Sequence, residues 1–313
     1  MSILVVADHN GQVVSEGTWR AVGAAQQLAD KVDLVVAGGD EAAAVAADAA
    51  RIGGLSSVLL CSGTAHADQL AEPLAQRLAA LVEVRGYSAV VAPACSMSRD
   101  SLPRLAAQLD VAMLSDVLEI EDSETFVRPM YGGSVLARLH CAEPVKIMTV
   151  RATSFKRPAE QDPAPVEEIE PGADSGLVRL IEQLRSDSGR PDLASAQIVV
   201  AGGRGLIDEQ GVAELEAVAD SLGAAIGASR GAVDAGLLPS GAQVGLTAKV
   251  VAPQLYIAVG ISGAIYHISG MKESSVILAI NSDPEAPIFE IADYIWVADA
   301  REALAELRQL VEA

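Results

Sequence analysis

Residues 254–271 read QLYIAVGISGAIYHISGM and encode a strand, a glycine-rich turn and the start of a helix. The run LYIAV is apolar throughout, which is typical of a strand buried on both faces of a parallel sheet. Gly260 and Gly263 permit a close backbone approach where the strand ends, and Ser262 places a hydroxyl beside N–H groups freed at the helix start. This combination suits a pyrophosphate group. Neither this turn nor GGRGL at 202–206 has the G-x-G-x-x-G spacing, so a nicotinamide-binding Rossmann site is not favoured.

The same pattern of strand and helix continues on both sides of this segment. Apolar runs that end in polar or glycine residues are AQIVVAGGRG (196–205), AAIGASR (224–230), VILAINSD (276–283) and DYIWVAD (293–299). Helices are predicted at about 209–222 and at 301–312. Because apolar strands alternate with helices, the sequence predicts a doubly wound parallel sheet in this half of the chain.

The N-terminal half contains a second α/β pattern. Its apolar runs are ILVVAD (3–8), VDLVVAG (32–38), SVLLCS (57–62) and YSAVVAPA (87–94). Alanine-rich helices are predicted between them, so a parallel sheet is expected here as well. From Asp116 to Phe155 the hydrophobic residues alternate at period two, with turn signals such as Gly132-Gly133, which predicts antiparallel strands that finish this domain.

Proline and acidic residues separate the two halves. The prolines are Pro158, Pro163, Pro165, Pro171 and Pro191. We therefore predict an N-terminal α/β domain at 1–155, a linker at 156–192 and a C-terminal α/β domain at 193–313.

The charge of the chain argues against several classes of partner. Its 313 residues include 42 Asp and Glu against 22 Lys and Arg, a formal net charge of −20 at pH 7. Such a surface repels phosphate backbones and anionic lipid, so a protein that binds nucleic acid or a membrane surface is not expected. The acidic balance fits a carrier that docks on partners by charge, although an ordinary solvated surface is the simpler explanation.

The sequence predicts a cytoplasmic protein. The longest stretch without a formal charge, 250–271, is no membrane span, because Pro253 and Gly260 would lie at bilayer depth. The N-terminal run reaches Asp8 too soon for a signal peptide. The three cysteines are far apart and form no CxxC pair, which predicts reduced thiols and no zinc site.

Polar and glycine residues stand at five predicted strand ends of the C-terminal half. They are Arg204, Ser229 with Arg230, Ser262 with Gly263, Asn281, and Asp299. Since the carboxyl ends of parallel strands meet at one edge of a sheet, these residues predict a ligand-binding crevice. Plainer explanations exist: Asp299 can cap a helix, Asn281 can form an Asx turn and Arg204 can be a solvated charge. His267 can be a core histidine, and no His or Cys lies at metal-ligand spacing from it.

On these motifs the chain resembles the α subunit of the electron-transfer flavoproteins. The match is densest in VVAGGRGL, GASRGAVDAG, QVGLTAKVVAPQLYIAVGISGAIYHISGMKESSVILAINSDPEAPIFEIADY and VAD. It continues more weakly through ILVVADH, LPRLAAQLDVAMLSDV, TFVRPMYGGS and MTVRATSF. The resemblance covers essentially the whole chain. It implies an FAD held mainly by the C-terminal domain and an N-terminal domain that contacts a β subunit.

The resemblance also implies a role for each matching position. Arg204 and Ser229 would contact the phosphate and ribityl region of FAD, and Arg230 would place its guanidinium over the isoalloxazine ring. Thr247 would hydrogen-bond near the flavin N5, at the end of a turn formed with Val244, Gly245 and Leu246. The ribityl and pyrophosphate would be wrapped by Ser262, Gly263, Ala264, Ile265, Tyr266 and His267, the last near the N1–C2 carbonyl edge. The adenosine end would be held by Asn281 and Asp299.

Arg230 is the residue expected to set the redox behaviour. A flavin that carries single electrons must stabilise the negative charge that reduction adds. A cation about 4 Å away contributes roughly 4 kcal/mol at an effective dielectric constant near 20, which corresponds to roughly 170 mV. A helix terminus contributes only about 0.3–1 kcal/mol.

Several positions depart from the family pattern. The family has Gln-Thr-Gly-Lys where this chain has Leu246-Thr247-Ala248-Lys249, Gln at the position of Tyr266, and Gly at that of Ile295. The loss of two amides beside the flavin is expected to change its hydrogen bonding, with Tyr266 stacking or donating instead. FAD binding is expected to survive, with atypical potentials.

The sequence therefore predicts an electron carrier and not an enzyme, since no nucleophile–base pair, catalytic carboxylate pair or P-loop is found. It would pair with a β subunit, accept electrons from a soluble flavin dehydrogenase acting on acyl-CoA or a similar substrate, and pass them to electron-transfer flavoprotein–quinone oxidoreductase or another acceptor. Three alternatives stay open: an electron-bifurcating variant with a second flavin in the β subunit, an FAD- or NAD-dependent oxidoreductase with its own small substrate, and a nucleotide-binding regulatory subunit.

Overall fold

The computed structural model describes residues 1–174, 176–182, 189–206 and 208–312. Internal contacts divide the chain into two units, Met1–Leu184 and Arg185–Ala313. Each unit contains a parallel sheet flanked by helices. The predicted fold class, with two α/β domains, is confirmed.

Strands and helices alternate through most of the first unit. Its strands are β1 (Ser2–Val6), β2 (Lys31–Gly38), β3 (Leu55–Ser62), β4 (Ala89–Pro93), β5 (Met113–Val117), β6 (Glu119–Ile120), β7 (Thr125–Met130), β8 (Val135–His140), β9 (Lys146–Val150) and β10 (Val166–Glu168). Its helices are α1 (Glu16–Ala25), α2 (Ala42–Ala49), α3 (Ala71–Arg85) and α4 (Ser96–Gln108).

The main sheet of the first unit is parallel and covered on both faces. Its strand order is β10-β3-β2-β1-β4-β9-β5. Val22 of α1 and Val45 of α2 belong to the core on one face, and Leu78 of α3 and Leu102 of α4 to the core on the other. Strands buried on both faces need apolar side chains in both directions, which explains the uninterrupted hydrophobic runs of β1 and β4.

A small antiparallel sheet, in the order β6-β7-β8, extends this unit. Asp122 fixes the turn between β6 and β7, because its carboxylate accepts the N–H groups of Glu124 and Thr125, both at 2.8 Å. The predicted antiparallel extension is confirmed for these strands. The prediction is wrong for β9, whose residues are all buried and which lies parallel between β4 and β5.

The first part of the segment predicted as a linker, 156–192, packs on the first unit. β10 pairs in parallel with β3, and the Gly53 N–H donates to the Ala159 carbonyl at 2.8 Å. The Arg157 guanidinium lies 3.8 Å from the centre of the Trp19 ring. Composition did not predict these contacts, since most of them join backbone groups that leave no signature in the sequence.

The second unit repeats the alternation. Its strands are β11 (Ile198–Gly202), β12 (Ala225–Ala228), β13 (Leu255–Val259), β14 (Val276–Asn281) and β15 (Tyr294–Val297). Its helices are α5 (Glu209–Leu222), α6 (Arg230–Asp234), α7 (Ile265–Ile268) and α8 (Ala300–Glu312). Each strand falls within one of the apolar runs that predicted it.

The sheet of the second unit has the order β12-β11-β13-β14-β15, with every neighbouring pair parallel. Leu215 of α5 and Leu304 of α8 belong to the core on one face, and Val244 and Met271 to the core on the other. From β11 the chain builds β12 on one side and then β13 on the other. The strand order therefore reverses between β11 and β13, and sheets of this kind bind ligands at the carboxyl side of such a reversal.

The cysteines are unpaired, and the described residues offer neither a metal centre nor a helix able to cross a bilayer. Cys61 and Cys141 are buried and Cys95 is half-buried, all as free thiols. Burial raises the pKa of the Cys61 and Cys95 thiols, so neither favours the thiolate at neutral pH. Among the described residues, no group of three His, Cys, Asp or Glu is placed to hold a metal ion. No described helix combines the length and the apolar character that crossing a bilayer requires.

Candidate cofactor site at the edge of the second sheet

The predicted strand-end residues lie at one edge of the second sheet. We call this edge the rim: the carboxyl ends of β11 to β15 with the residues that follow them, 203–205, 229–230, 260–266, 281–283 and 298–299. Because every pair of neighbouring strands is parallel, all five strand ends face the same way. The structure thus brings Arg204, Ser229, Ser262, Asn281 and Asp299 to one side of the unit.

Three glycines allow the loops after β11 and β13 to touch. The Gly203 N–H donates to the Val259 carbonyl at 2.8 Å, and the Gly205 N–H donates to the Gly260 carbonyl at 3.1 Å. A Cβ atom on Gly203 would lie 2.1 Å from the Gly260 carbonyl oxygen, and one on Gly205 would lie 2.6 Å from the Gly260 Cα. Backbone hydrogen bonds therefore join the loops on the two sides of the strand-order reversal, and the glycines leave no room there for a side chain.

Consecutive N–H groups at the rim have no acceptor in the part of the chain that the structure describes. Within the described residues, the N–H groups of 262–266 donate no hydrogen bond, whereas the next one, of His267, donates to the Ala264 carbonyl at 2.9 Å. The side chains of Ser262, Ala264 and Tyr266 are exposed. Backbone donors are normally paired, so a run of free ones at the surface is suited to several acceptors, such as the oxygens of a phosphate group.

The cations of the rim differ in how they are neutralised. Arg230 Nε lies 3.3 Å from Asp234 Oδ2, one helical turn away, with both side chains largely exposed. Lys249 lies outside the rim, where its carbonyl accepts the Gly245 N–H, and its Nζ is 3.4 Å from Asp192 Oδ2. Arg204 is exposed and has no carboxylate within ion-pair distance among the described residues. Its guanidinium is therefore the rim cation most available to an anion.

The Arg204 side chain runs beside the start of α6. A Cβ atom on Gly231 would lie 3.2 Å from the Arg204 Cδ. Ser229 caps the same helix, since its Oγ accepts the Ala232 N–H at 3.2 Å. The predicted phosphate contacts Arg204 and Ser229 are thus neighbours, although the serine hydroxyl already serves the helix.

The side chains of Asn281 and Asp299 hydrogen-bond to backbone groups of the rim and of α8. The Asn281 Nδ2 donates to the Ile261 carbonyl at 2.9 Å, and its Oδ1 accepts the Asp283 N–H at 3.0 Å. Asp299 caps α8 by accepting the Arg301 N–H at 2.9 Å. These are the plainer roles that the sequence allowed, and they fix the loops after β13 and β14 relative to each other.

The turn 244–247 is hydrogen-bonded both to α7 and to the end of the edge strand β12. The Val244 N–H donates to the Ala228 carbonyl at 2.9 Å, at the end of β12. The Leu246 N–H donates to the Tyr266 carbonyl at 2.8 Å. Thr247 is exposed at the end of this turn. The turn, Arg230 and α7 are therefore brought to the β12 side of the rim.

His267 is a core histidine in this structure. Its Nδ1 lies 3.1 Å from the Val244 carbonyl and must donate to it, so its Nε2 accepts the Tyr256 hydroxyl at 3.0 Å. Both rings are buried. The ring nitrogens are occupied by the protein, so the position that the resemblance gave to this side chain, against the flavin carbonyl edge, would require one of these bonds to break. The sequence did not predict that Tyr256 would be the partner of this histidine, because Tyr256 stands within an apolar strand run and has no motif of its own.

The buried imidazole predicts a pH dependence of stability. Burial lowers the pKa of His267 from 6.5 to about 4, so the unfolded chain takes up the proton first as the pH falls. The neutral imidazole therefore contributes its full stabilisation above pH 6.5. As the pH falls towards 4, the free energy of unfolding decreases by up to about 3 kcal/mol. Urea unfolding at several pH values should show a steeper loss for the wild type than for His267→Gln. Parallel stability curves for the two proteins would contradict this role.

The rim residues fit a phosphorylated cofactor such as FAD. The free N–H run and the unpaired Arg204 supply donors and positive charge for phosphate oxygens, and exposed Tyr266 offers an aromatic surface for a ring. A doubly wound sheet with such donors at its strand-order reversal defines a class of α/β proteins that bind nucleotide cofactors.

Comparison with known proteins identifies the family within that class. Residues 3–174 match the family model described as the electron transfer flavoprotein domain, and residues 192–272 match that described as the electron transfer flavoprotein FAD-binding domain. The chain belongs to the α-subunit family of the electron transfer flavoproteins.

Relatives match along the full length of the chain. It is 47% identical to the electron transfer flavoprotein subunit alpha of Pseudomonas aeruginosa, over 99% of this chain and 100% of the relative. It is 45% identical to the subunit alpha of Paracoccus denitrificans, over 98% of this chain and 99% of the relative. It is 42% identical to the probable mitochondrial electron transfer flavoprotein subunit alpha of Caenorhabditis elegans, over 98% of this chain and 92% of the relative.

Proposed function

We propose that this chain is the α subunit of a heterodimeric electron carrier whose second unit holds one FAD at the rim. The observation that carries the proposal is the run of free N–H groups at 262–266 beside the unpaired Arg204, at the strand-order reversal. The match of residues 192–272 to an FAD-binding domain supports it. A β subunit would complete the protein, since the relatives are named as alpha subunits.

The chain's own residues would bind and orient the cofactor. The N–H groups of 262–266 and the Arg204 guanidinium would hold the pyrophosphate, and the caps formed by Ser229 and Asp299 would keep the loops around it in place. Val244 to Thr247 and Arg230 would line the flavin end, and Asn281 would lie at the adenosine end. FAD, when bound, supplies reversible uptake of electrons one at a time. No side chain of the rim has to act as a nucleophile in such a carrier.

The partners follow from the carrier role. We assign the electron donor to a soluble flavin dehydrogenase, acting on acyl-CoA or a similar substrate, and the acceptor to electron-transfer flavoprotein–quinone oxidoreductase or another redox partner. The net charge of −20 would help the protein dock transiently and reversibly on such partners. A cytoplasmic location in a bacterium agrees with the bacterial relatives named above.

Co-purification with the β subunit, followed by cofactor extraction, tests the proposal. One FAD per heterodimer is the expected result. A colourless complex that takes up no FAD would contradict it, and two FAD per heterodimer would point to the bifurcating variant. Turnover of a small substrate in the absence of any partner protein would favour an oxidoreductase with its own substrate.

Arg230 and Asp234 are expected to shift the flavin potential in opposite directions. A lone cation about 4 Å from the ring would contribute roughly 170 mV, but the neighbouring Asp234 carboxylate offsets part of that field, so a shift of some tens of millivolts is expected. In a redox titration of the FAD-loaded heterodimer, Arg230→Gln should lower the midpoint potential and Asp234→Asn should raise it. If both variants shifted the midpoint potential in the same direction, or if neither shifted it, Arg230 would not be the residue that sets the flavin potential.

A further inference from the structure

Strand β15 forms one edge of the second sheet, and no described strand pairs with its outer side. We call residues 293–299, the strand with its flanking residues, the β15 edge. Tyr294 is 65% exposed, Ile295 55% and Val297 52%. Because successive side chains of a strand point to opposite faces, Ile295 and Val297 lie together on one face. The family has Gly at the position of Ile295, so the family pattern does not account for this exposed hydrophobic side chain.

The backbone of β15 offers hydrogen-bonding groups on this outer side. The Asp293 N–H donates to the Ile277 carbonyl of β14 at 2.9 Å. Since the direction of these groups alternates along a strand, the N–H and C=O groups of Tyr294 and Trp296 point away from β14. They form an open row to which another extended chain can add.

Two other sheet edges in the chain are protected, whereas the β15 edge is not. At the opposite edge of the same sheet, Gln243 bridges to Ala228 at the end of β12. The edge strand β10 of the first sheet carries the charges of Glu167 and Glu168. Covering segments, charges, prolines and bulges are the usual means of keeping an edge from pairing with other proteins. β15 contains no charge and no proline, and its register with β14 is unbroken, so its outer side is suited to docking.

Carboxylates stand at both ends of β15. Asp293 precedes the strand and Asp299 follows it, and both are exposed. The cation nearest to them in the sequence, Arg301, is paired with Asp208. Antiparallel pairing of two copies of β15 would bring Asp293 of one copy near Asp299 of the other, so like charges oppose self-association. A segment with basic residues at the same two places would be attracted instead.

We propose that the β15 edge docks an extended segment of another protein, apolar at its centre and with Lys or Arg at both ends. The segment adds to the sheet as a further strand, so its backbone bonds to that of Tyr294 and Trp296. Its central side chains cover Ile295 and Val297, and its ends meet the two carboxylates. The inference goes beyond the proposed carrier function, because no part of it depends on FAD.

Fluorescence anisotropy with the FAD-loaded heterodimer tests this inference. The probe is the labelled peptide Lys-Val-Thr-Val-Thr-Val-Lys, which is as long as the β15 edge. It should bind saturably and more weakly as the salt concentration rises. The same peptide with Glu at both ends should bind at least about tenfold more weakly, because its ends would face Asp293 and Asp299.

Three variants of the chain locate the binding. Ile295→Lys should weaken binding of the basic peptide by about tenfold or more, since it places a charge in the apolar stripe. Asp293→Asn should weaken it about threefold, because the charge is lost while an acceptor for the Ile277 N–H is kept. Val84→Lys is the matched control, since Val84 is 84% exposed on α3, in the first unit. It should bind the peptide as the wild type does.

Hydrogen–deuterium exchange at Tyr294 and Trp296 in the same heterodimer separates the other outcomes. Protection that appears only with the peptide is expected. Protection without the peptide, together with no peptide binding, would overturn the inference and make the β subunit the occupant. Association of heterodimers that Ile295→Lys abolishes would make it a second copy. Equal peptide binding by Ile295→Lys and the wild type, or no binding and no protection, would show that the β15 edge docks no such segment.

Discussion

Gly203→Ala is expected to destabilise the second unit by about 3 kcal/mol and to abolish FAD binding. The new Cβ atom would lie 2.1 Å from the Gly260 carbonyl oxygen, which is backbone and cannot rotate away. The loops after β11 and β13 would have to separate, and the Gly203 N–H would lose its bond to the Val259 carbonyl. The free N–H run begins two residues after Gly260, so it would move with that loop.

Urea unfolding and an FAD titration would measure the two parts of this effect. Gly241→Ala is the matched control, because a Cβ atom there meets nothing within 4 Å and the backbone has an ordinary φ. It should leave both stability and FAD affinity within error of the wild type. Wild-type behaviour of Gly203→Ala would show that the two loops do not touch as described.

Arg204→Ala is expected to weaken the binding of FAD and of ADP by roughly 10- to 100-fold. A hydrogen bond from a guanidinium to a phosphate oxygen is stronger than one between neutral groups. Arg204 can give such a bond without first leaving a carboxylate, since none lies within ion-pair distance among the described residues. The loss should be similar for both ligands, because they share the pyrophosphate.

Lys272→Ala is the matched control for Arg204. Lys272 is also exposed and also has no carboxylate partner among the described residues, but it lies between α7 and β14, on the way to the amino end of that strand. Equilibrium dialysis should give wild-type affinities for this variant. Equal losses in the two variants would mean that only net charge matters, and no loss in Arg204→Ala would exclude it from the phosphate site.

The fold was predictable because burial on both faces leaves a clear signal in the sequence. The runs that became β11, β13 and β14 are apolar without alternation, and that pattern is typical of a parallel sheet covered by helices. β9 is the exception. It lies in the stretch from Asp116 to Phe155 that predicted antiparallel strands, yet its residues are buried, even Lys146, whose Nζ lies 3.1 Å from the Glu143 carbonyl.

The position of the site was predictable, but its chemistry was not. The rule that strand ends meet at one edge found the rim from sequence alone, and the family motifs pointed to the same residues. Which N–H groups lack acceptors depends on the whole backbone, so no sequence pattern predicts it. One ion pair could be predicted and the other could not. Asp234 stands four residues after Arg230, a spacing that brings the two together on a helix. Asp192 and Lys249 are far apart in the sequence and meet only in the folded chain.

The most direct test of the FAD site is hydrogen–deuterium exchange at the backbone amides of 262–266, measured in the heterodimer with and without FAD. These N–H groups have no acceptor among the described residues, so they should exchange fast without the cofactor and become strongly protected when its phosphate oxygens accept them. The amides of 272–275, which follow α7 and lead away from the rim, should exchange at the same rate in both forms. Unchanged exchange at 262–266 on saturation with FAD would contradict the central claim, because the cofactor would then be bound elsewhere.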